Sequence, residues 1–131
     1  MVLLDTDTCI DILRAEPAVL ERFAALLGKT AFLSSISYHE LRYGALHSSS
    51  PERHLLALAT FLEPLQVLPF TVTSARVSAE ISEELTRKGK RIGPLDTLIA
   101  GHAREHALTL ITGNTQEFGR VLGLRLEDWR G

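Results

Sequence analysis

The sequence predicts an α/β domain, a parallel β-sheet with α-helices on both faces. Two observations carry the prediction. Short apolar runs alternate with longer stretches of helical periodicity, and proline or glycine marks most of the joins. The opening run, Met1-Val2-Leu3-Leu4, is apolar throughout, as suits a strand buried on both faces, and it runs straight into Asp5-Thr6-Asp7.

The elements follow in order. After the first strand, Thr6 is expected to cap a short helix carrying Ile10 and Leu13 on one side. Pro17 opens a second helix through Val19, Leu20, Phe23 and Leu27, closed by Gly28. Residues 30–33 read as the second strand, and Ser37 begins a helix with Leu41 and Leu46. Ser50 as cap and Pro51 at the first position open the next helix, to about Leu62. The third strand is residues 66–68. Residues 71–88 make a long amphipathic helix with Val72, Val77, Ile81 and Leu85 inward, ended by Gly89. Pro94 opens a helix through Ala103, residues 108–112 are the fourth strand, and Gly113 turns the chain. A one-turn helix and a short edge strand at residues 124–126 complete it.

At 131 residues the chain is expected to be a single domain, residues 1–131, and 45% hydrophobic content is enough for a real core. The apolar runs fall far short of the ~20 residues a spanning helix needs, so no membrane partner is expected. No basic segment followed by an apolar stretch marks a signal peptide. A lone cysteine, Cys9, rules out an internal disulfide and suits a reducing, cytoplasmic setting. The net charge of −2 excludes coating of nucleic acid by bulk electrostatics, but not a local basic strip.

Each acid has an ordinary explanation. Asp7 suits a helix N-terminus, an interaction of about 0.3–1 kcal/mol. Ser37-Tyr38-His39-Glu40 matches a capping box, and Asn114-Thr115-Gln116-Glu117 a similar N-x-x-E arrangement. Asp96, after Gly93-Pro94-Leu95, falls near the third position of a helix. Asp5, at a strand end, is harder to explain by structure alone. Taken together they are less ordinary. In a parallel sheet Asp5, Asp96 and Asn114 lie at or just beyond the carboxyl ends of strands, and Glu40 can reach the same edge. Two carboxylates about 4 Å apart repel by roughly 4 kcal/mol at an effective dielectric of 20. A cation would relieve that cost, and hard oxygen ligands favour Mg²⁺ or Mn²⁺.

With these residues placed, the chain resembles the PIN-domain ribonucleases, specifically the VapC type of toxin from bacterial toxin–antitoxin pairs. The likeness runs nearly end to end, through "LLDTDTCIDIL", "LSSISYHELRYGA", "RIGPLDTLIAGHA" and "LITGNTQEFGRVLGLRLEDW". It implies a PIN-like parallel sheet flanked by helices and a divalent-metal endoribonuclease. The family's carboxylates map onto Asp5, Glu40 and Asp96, with Asn114 where many members carry a fourth acid. Asp5 and Asp96 would bind Mg²⁺, with Glu40 a ligand or an orienter of water. Glu117 is the nearest replacement acid, and equally a capping partner; Asp7 is a neighbouring group or a surface charge, as is Glu83. The resemblance also implies a cognate VapB-like antitoxin that obstructs the acidic pocket, a homodimer, and an RNA substrate such as tRNA. Operator DNA binding would then belong to the antitoxin.

Arg87, Lys88, Lys90 and Arg91 form the one dense basic run, either a solvated helix end or a grip on RNA phosphate. His102 and His106, at i, i+4 spacing, lack the adjacent glutamate of the zinc-protease motif and read as a solvent-facing pair. Phe118 and Trp129 read as packing anchors. The rival readings are a haloacid-dehalogenase-like phosphatase, a phospho-receiver domain, and a non-catalytic PIN-like domain that binds RNA or a partner. The first rests on the likeness of "LLDTDTC" to D-x-D-x-T, but Cys9 stands at its last position. The second needs an aspartate after the third strand, where Leu68-Pro69-Phe70 stands.

Overall fold

Leu3, in the middle of the first strand, pairs with Phe32 on one side and Leu110 on the other, and the sheet grows outward from it. In the computed structural model, which describes residues 1–26 and 30–131, the strands are β1 (Val2–Leu4), β2 (Ala31–Ser34), β3 (Gln66–Leu68), β4 (Thr109–Ile111) and β5 (Leu126–Glu127). Their order is β3-β2-β1-β4-β5, and every neighbouring pair is parallel. The chain winds from β1 through β2 to β3, then returns across the sheet to β4 and β5. The winding therefore reverses beside β1. Such a switch point leaves a crevice beyond the carboxyl ends of the two strands that flank it, here β1 and β4.

Period-two alternation in the strands divides the core. Leu3 and Leu110 face one side, with Ile81 and Leu85 of α5 (Val72–Arg87) and Ile99, Ala100 and Ala103 of α6 (Pro94–Glu105). Leu4, Leu33 and Ile111 face the other, against α1 (Thr6–Leu13), α2 (Pro17–Ala24), α3 (Ser35–His47) and α4 (Pro51–Leu62). Phe118, at the end of the one-turn α7 (Thr115–Phe118), anchors the first core and Trp129 the second. Both faces of the central strands are dry, which is why those strands are apolar throughout.

Several ends differ from the sequence reading. Asp5, not Thr6, is the N-cap of α1. Helix α3 starts at Ser35, capped by Ser34, whose hydroxyl oxygen accepts from the Ile36 N–H at 3.0 Å. The earlier start puts Glu40 in the second turn, beyond reach of the cap, so Ser37 and Glu40 form no capping box. Ser50 stands at the N-cap of α4 but makes no side-chain cap bond. Val72, expected inward, is 87% exposed, because at the first position of α5 it still points away from the sheet. Val77, Ile81 and Leu85 do turn inward. Gly89 ends α5 as expected, at φ +64 with the Lys90 N–H on the Leu85 carbonyl at 2.9 Å. Helix α6 runs on past Ala103 to Glu105, and β5 lies at Leu126–Glu127 rather than at 124–126. The expected close of α2 at Gly28, with Leu27, lies outside the described residues.

Helices α5 and α6 make their closest approach at Gly101. A Cβ there would lie 2.7 Å from the Ser78 Cβ and 3.0 Å from its Cα, so the two backbones would have to part. Gly101→Ala is expected to cost about 1–3 kcal/mol in urea unfolding, the usual range for overpacking. A change within about 0.5 kcal/mol would show that the helix pair yields freely.

Candidate active site

Asp5 leaves β1 straight into the crevice. Its backbone conformation, φ −68 and ψ 156, ends the strand, and its carboxylate starts α1 by accepting the Thr6 N–H at 2.8 Å on Oδ1. The other oxygen accepts from the Thr112 hydroxyl at 2.8 Å, just past the end of the adjacent strand. Thr112 in turn accepts the Asn114 N–H at 3.0 Å. One hydroxyl thus ties the ends of β1 and β4 together. Asp5 is 3% exposed, yet each of its oxygens keeps lone-pair capacity for another partner.

Glu40 arrives from α3. Its Oε1 accepts from the Thr6 hydroxyl at 2.7 Å, and the Ser37 hydroxyl stands 2.8 Å behind Thr6. Since Thr6 has one hydroxyl proton and gives it to the carboxylate, Ser37 donates to Thr6. Asp96 sits in the first turn of α6 and folds back over Gly93, where a Cβ would come within 3.4 Å of its Oδ2. Asn114 makes no cap bond to the backbone of α7. Its Nδ2 donates to Glu117 Oε2 at 2.9 Å, so the expected capping arrangement is replaced by a link that aims the Glu117 carboxylate.

The charges show that these groups share one place. Burial pushes the Asp5 carboxyl up to about 6, against the bonds from Thr112 and Thr6, and the charges of Asp7 and Asp96 add to the rise. Burial likewise raises Asp96 to about 6, with further pushes from Glu117, Glu40 and Asp7. Asp7 is exposed but adds to the field. Among the described residues, none of these five acids has an ion pair with a basic side chain. No three of them bring carboxylate oxygens within 4.8 Å of one another. A set of hard oxygen donors, two with raised pKa values and all without cationic partners, fits a divalent cation of the Mg²⁺ or Mn²⁺ kind.

His102, Glu105 and His106 do bring donor atoms within 4.8 Å of one another. They are not a free ligand set. His102 is fully buried rather than solvent-facing as expected, and its ring nitrogens lie 2.8 Å from Ser34 Oγ and 3.0 Å from the Pro69 carbonyl. Only His106 is exposed.

The basic run divides. Arg87 pairs weakly with Glu83 at 3.5 Å on the surface, which makes Glu83 a surface charge. Lys88 and Lys90 are exposed. Arg91 lines a cavity of about 310 Å³ together with Pro94 and Thr97, which bracket Asp96 in sequence. The hydroxyls of Thr6, Ser37 and Thr112 escaped the sequence reading. The signal was present: a threonine follows Asp5 directly, and another precedes the Gly113-Asn114 turn.

An open parallel sheet with an acidic, cation-seeking crevice at its switch point defines a hydrolytic class of α/β domain. Residues 2–123 match the PIN domain family, and the chain belongs to it. It is 44% identical to the tRNA(fMet)-specific endonuclease VapC of Shigella flexneri, over 97% of this chain and 96% of that one. It is 40% identical, over the same shares, to ribonuclease VapC2 of Haemophilus influenzae. A chain of a DNA-bound VapBC structure from Salmonella typhimurium superposes with a TM-score of 0.92 at 41% identity, covering 98% of this chain and 99% of that chain. The VapC resemblance and the flanked parallel sheet therefore stand, and the phosphatase and receiver readings fall away.

The raised carboxyls set a pH dependence. A carboxyl whose folded pKa lies above its unfolded value holds more protons in the folded state. Its contribution to stability is full below the ordinary value of 3.8 and is lost as pH rises through about 6. The cation-free protein is therefore expected to lose stability between those two pH values in thermal unfolding. Asp96→Asn should flatten that loss and leave the cation-free chain at pH 7 as stable as wild type or more so. It should also abolish stabilisation by Mg²⁺. A large drop in cation-free stability would instead make Asp96 chiefly a helix cap.

Proposed function

We propose that residues 1–131 act as a single PIN domain, the toxin of a VapBC-type pair and a divalent-metal-dependent endoribonuclease that cleaves tRNA. The observation that carries the reading is the group of five acids at one sheet edge with no basic partner among the described residues. The tRNA substrate is supported by the likeness to the tRNA(fMet)-specific endonuclease, and the antitoxin partner by likeness to VapBC complexes.

In this reading Asp5 and Asp96 hold Mg²⁺, with Mn²⁺ a substitute. Bound there, the cation supplies Lewis-acid activation of water and neutralises charge on the phosphodiester. Glu40, its carboxylate fixed by Thr6 and Ser37, orients the attacking water and takes up its proton. Glu117, aimed by Asn114, stands in for the fourth acid, and Asp7 deepens the negative field. Arg91, in the loop that leads to the helix carrying Asp96, grips the RNA backbone together with Arg87, Lys88 and Lys90. Water is the nucleophile; as its oxygen bonds to phosphorus the P–O3′ bond breaks and O3′ takes a proton from solvent, so the products carry a 5′-phosphate and a 3′-hydroxyl, and cyclic phosphate ends would overturn the mechanism.

The antitoxin covers the acidic crevice with a basic side chain, and operator DNA contacts belong to it, in keeping with the net charge of −2 here. Two copies of the chain pair as a homodimer in the cytoplasm. No helix among the described residues is long and apolar enough to cross a membrane.

The direct test is cleavage of total tRNA by the purified chain with Mg²⁺ or Mn²⁺, with EDTA, and with Asp5→Asn. Discrete fragments that need metal and disappear in the variant are expected. Cleavage that survives the substitution would be a contaminant's, and none under any condition would favour a binding-only domain. Neutralising Arg87, Lys88, Lys90 and Arg91 together should weaken RNA binding and flatten its salt dependence, by a slope of about 0.7 per lost phosphate contact on single strands. Unchanged binding would return the run to an ordinary solvated helix end.

A further inference from the structure

The helix that carries Glu40 and the helix with Asp96 in its first turn meet at one imidazole. His102 lies well along α6 and is fully buried. The Pro69 carbonyl, 3.0 Å from Nε2, can only accept, so the ring proton sits on Nε2. Nδ1 is then an acceptor, and the Ser34 hydroxyl 2.8 Å away donates to it. Ser34 ends β2 and caps α3, its oxygen taking the Ile36 N–H. The serine thus has one orientation, its proton toward His102 and a lone pair toward the first turn of α3. The Phe70 ring, 5.1 Å away and tilted by 57°, packs against the imidazole. His106, one turn further along α6, lies 5.7 Å away, and Glu105 is occupied by the Ser74 hydroxyl at 2.6 Å and by His106 at 3.4 Å.

We propose that His102 is a positioning residue for the acidic site: through Ser34 it fixes the start of α3, and hence where Glu40 meets the turn after Asp5, and it locks that start to the helix that carries Asp96 in its first turn. This rests on the reading of Asp5, Glu40 and Asp96 as the acids of the nuclease. His102 touches none of the reacting groups. Its leverage is geometric, since Glu40 stands in the second turn beyond Ser34, and a shift in the entry angle of α3 moves the carboxylate away from the Thr6 hydroxyl. Misplacement by about 1 Å in such a site can cost about 100-fold in rate.

Two amide substitutions separate the two nitrogens. His102→Asn places an amide oxygen near the position of Nδ1, able to accept from Ser34, and gives up the Pro69 bond. His102→Gln reaches the position of Nε2, donates to Pro69, and leaves Ser34 without its acceptor. Each keeps one buried bond and loses the other, so both should lose similar amounts of thermal stability. The Gln variant is expected to lower kcat on tRNA by about tenfold or more at little change in KM, and to weaken the midpoint for stabilisation by Mn²⁺. The Asn variant should stay within about threefold of wild type, and Ser34→Ala, which also removes the α3 cap, should lose at least as much as the Gln variant. With Glu40→Gln already in place, the difference between the Asn and Gln variants should vanish.

Equal losses in the Asn and Gln variants, or a difference that survives without Glu40, would overturn the proposal. If wild type itself cleaves no RNA, the nuclease reading has failed. The Mn²⁺ midpoints of the same variants then still decide whether His102 acts through Glu40.

Discussion

Asp5 is the charge around which this fold is arranged. Its place is forced twice, by the end of the central strand and by the start of α1, so the carboxylate cannot move to water without undoing both. What the fold can do is surround it. One backbone N–H and one threonine hydroxyl meet its two oxygens at 2.8 Å each, and the threonine directly follows the neighbouring strand. Those bonds favour the ionised form, but burial outweighs them and the pKa still rises to about 6. The site is held together by hydrogen bonds that orient charge, not by ion pairs that cancel it.

The same device recurs at Glu40 and Glu117. Glu40 takes a hydroxyl from Thr6, which leans on Ser37; Glu117 takes an amide from Asn114. Neutral donors fix direction without supplying positive charge, so the field remains available to a cation. A lysine or arginine in any of these positions would satisfy the carboxylate and close the site. The basic groups nearby are deployed otherwise: Arg104 pairs with Glu84 at 2.9 Å between α6 and α5, and Arg130 lies near Asp11 and Asp128 at 3.9 and 3.7 Å. The acids at the switch point are left to one another.

The fold was legible because its signals are local. Apolar runs, prolines at the first positions of α2, α4 and α6, and Gly89 after α5 each specify a boundary by sterics or by burial. Asp5, Glu40 and Asp96 were legible as acids at one edge once the strands were taken as parallel. What the sequence hid were partners remote in the chain. Thr112 and Asp5 are 107 residues apart, His102 and Ser34 are 68 apart, and no periodicity marks either pair. The errors have the same origin. Ser37-x-x-Glu40 looks like a capping box, yet Ser34 lies one turn earlier and wins the N-terminus, which frees Glu40 for a tertiary bond. His102 and His106 share a spacing, but the end of β2 and the Pro69-Phe70 turn cover one ring and leave the other exposed.

The departure at Asn114 fits the same logic. An aspartate there would add a carboxylate to a crevice that already raises Asp96 through Glu117, Glu40 and Asp7. An amide of the same size accepts nothing from that repulsion and donates to Glu117 instead, bringing the acid from α7 toward Asp96. A carboxylate is thereby offered to the crevice from a helix rather than from a strand end. A longer side chain on a one-turn helix is easier to displace than an aspartate clamped at a strand. The amide link from Asn114 restrains the Glu117 side chain, so the orientation of this acid depends on both residues.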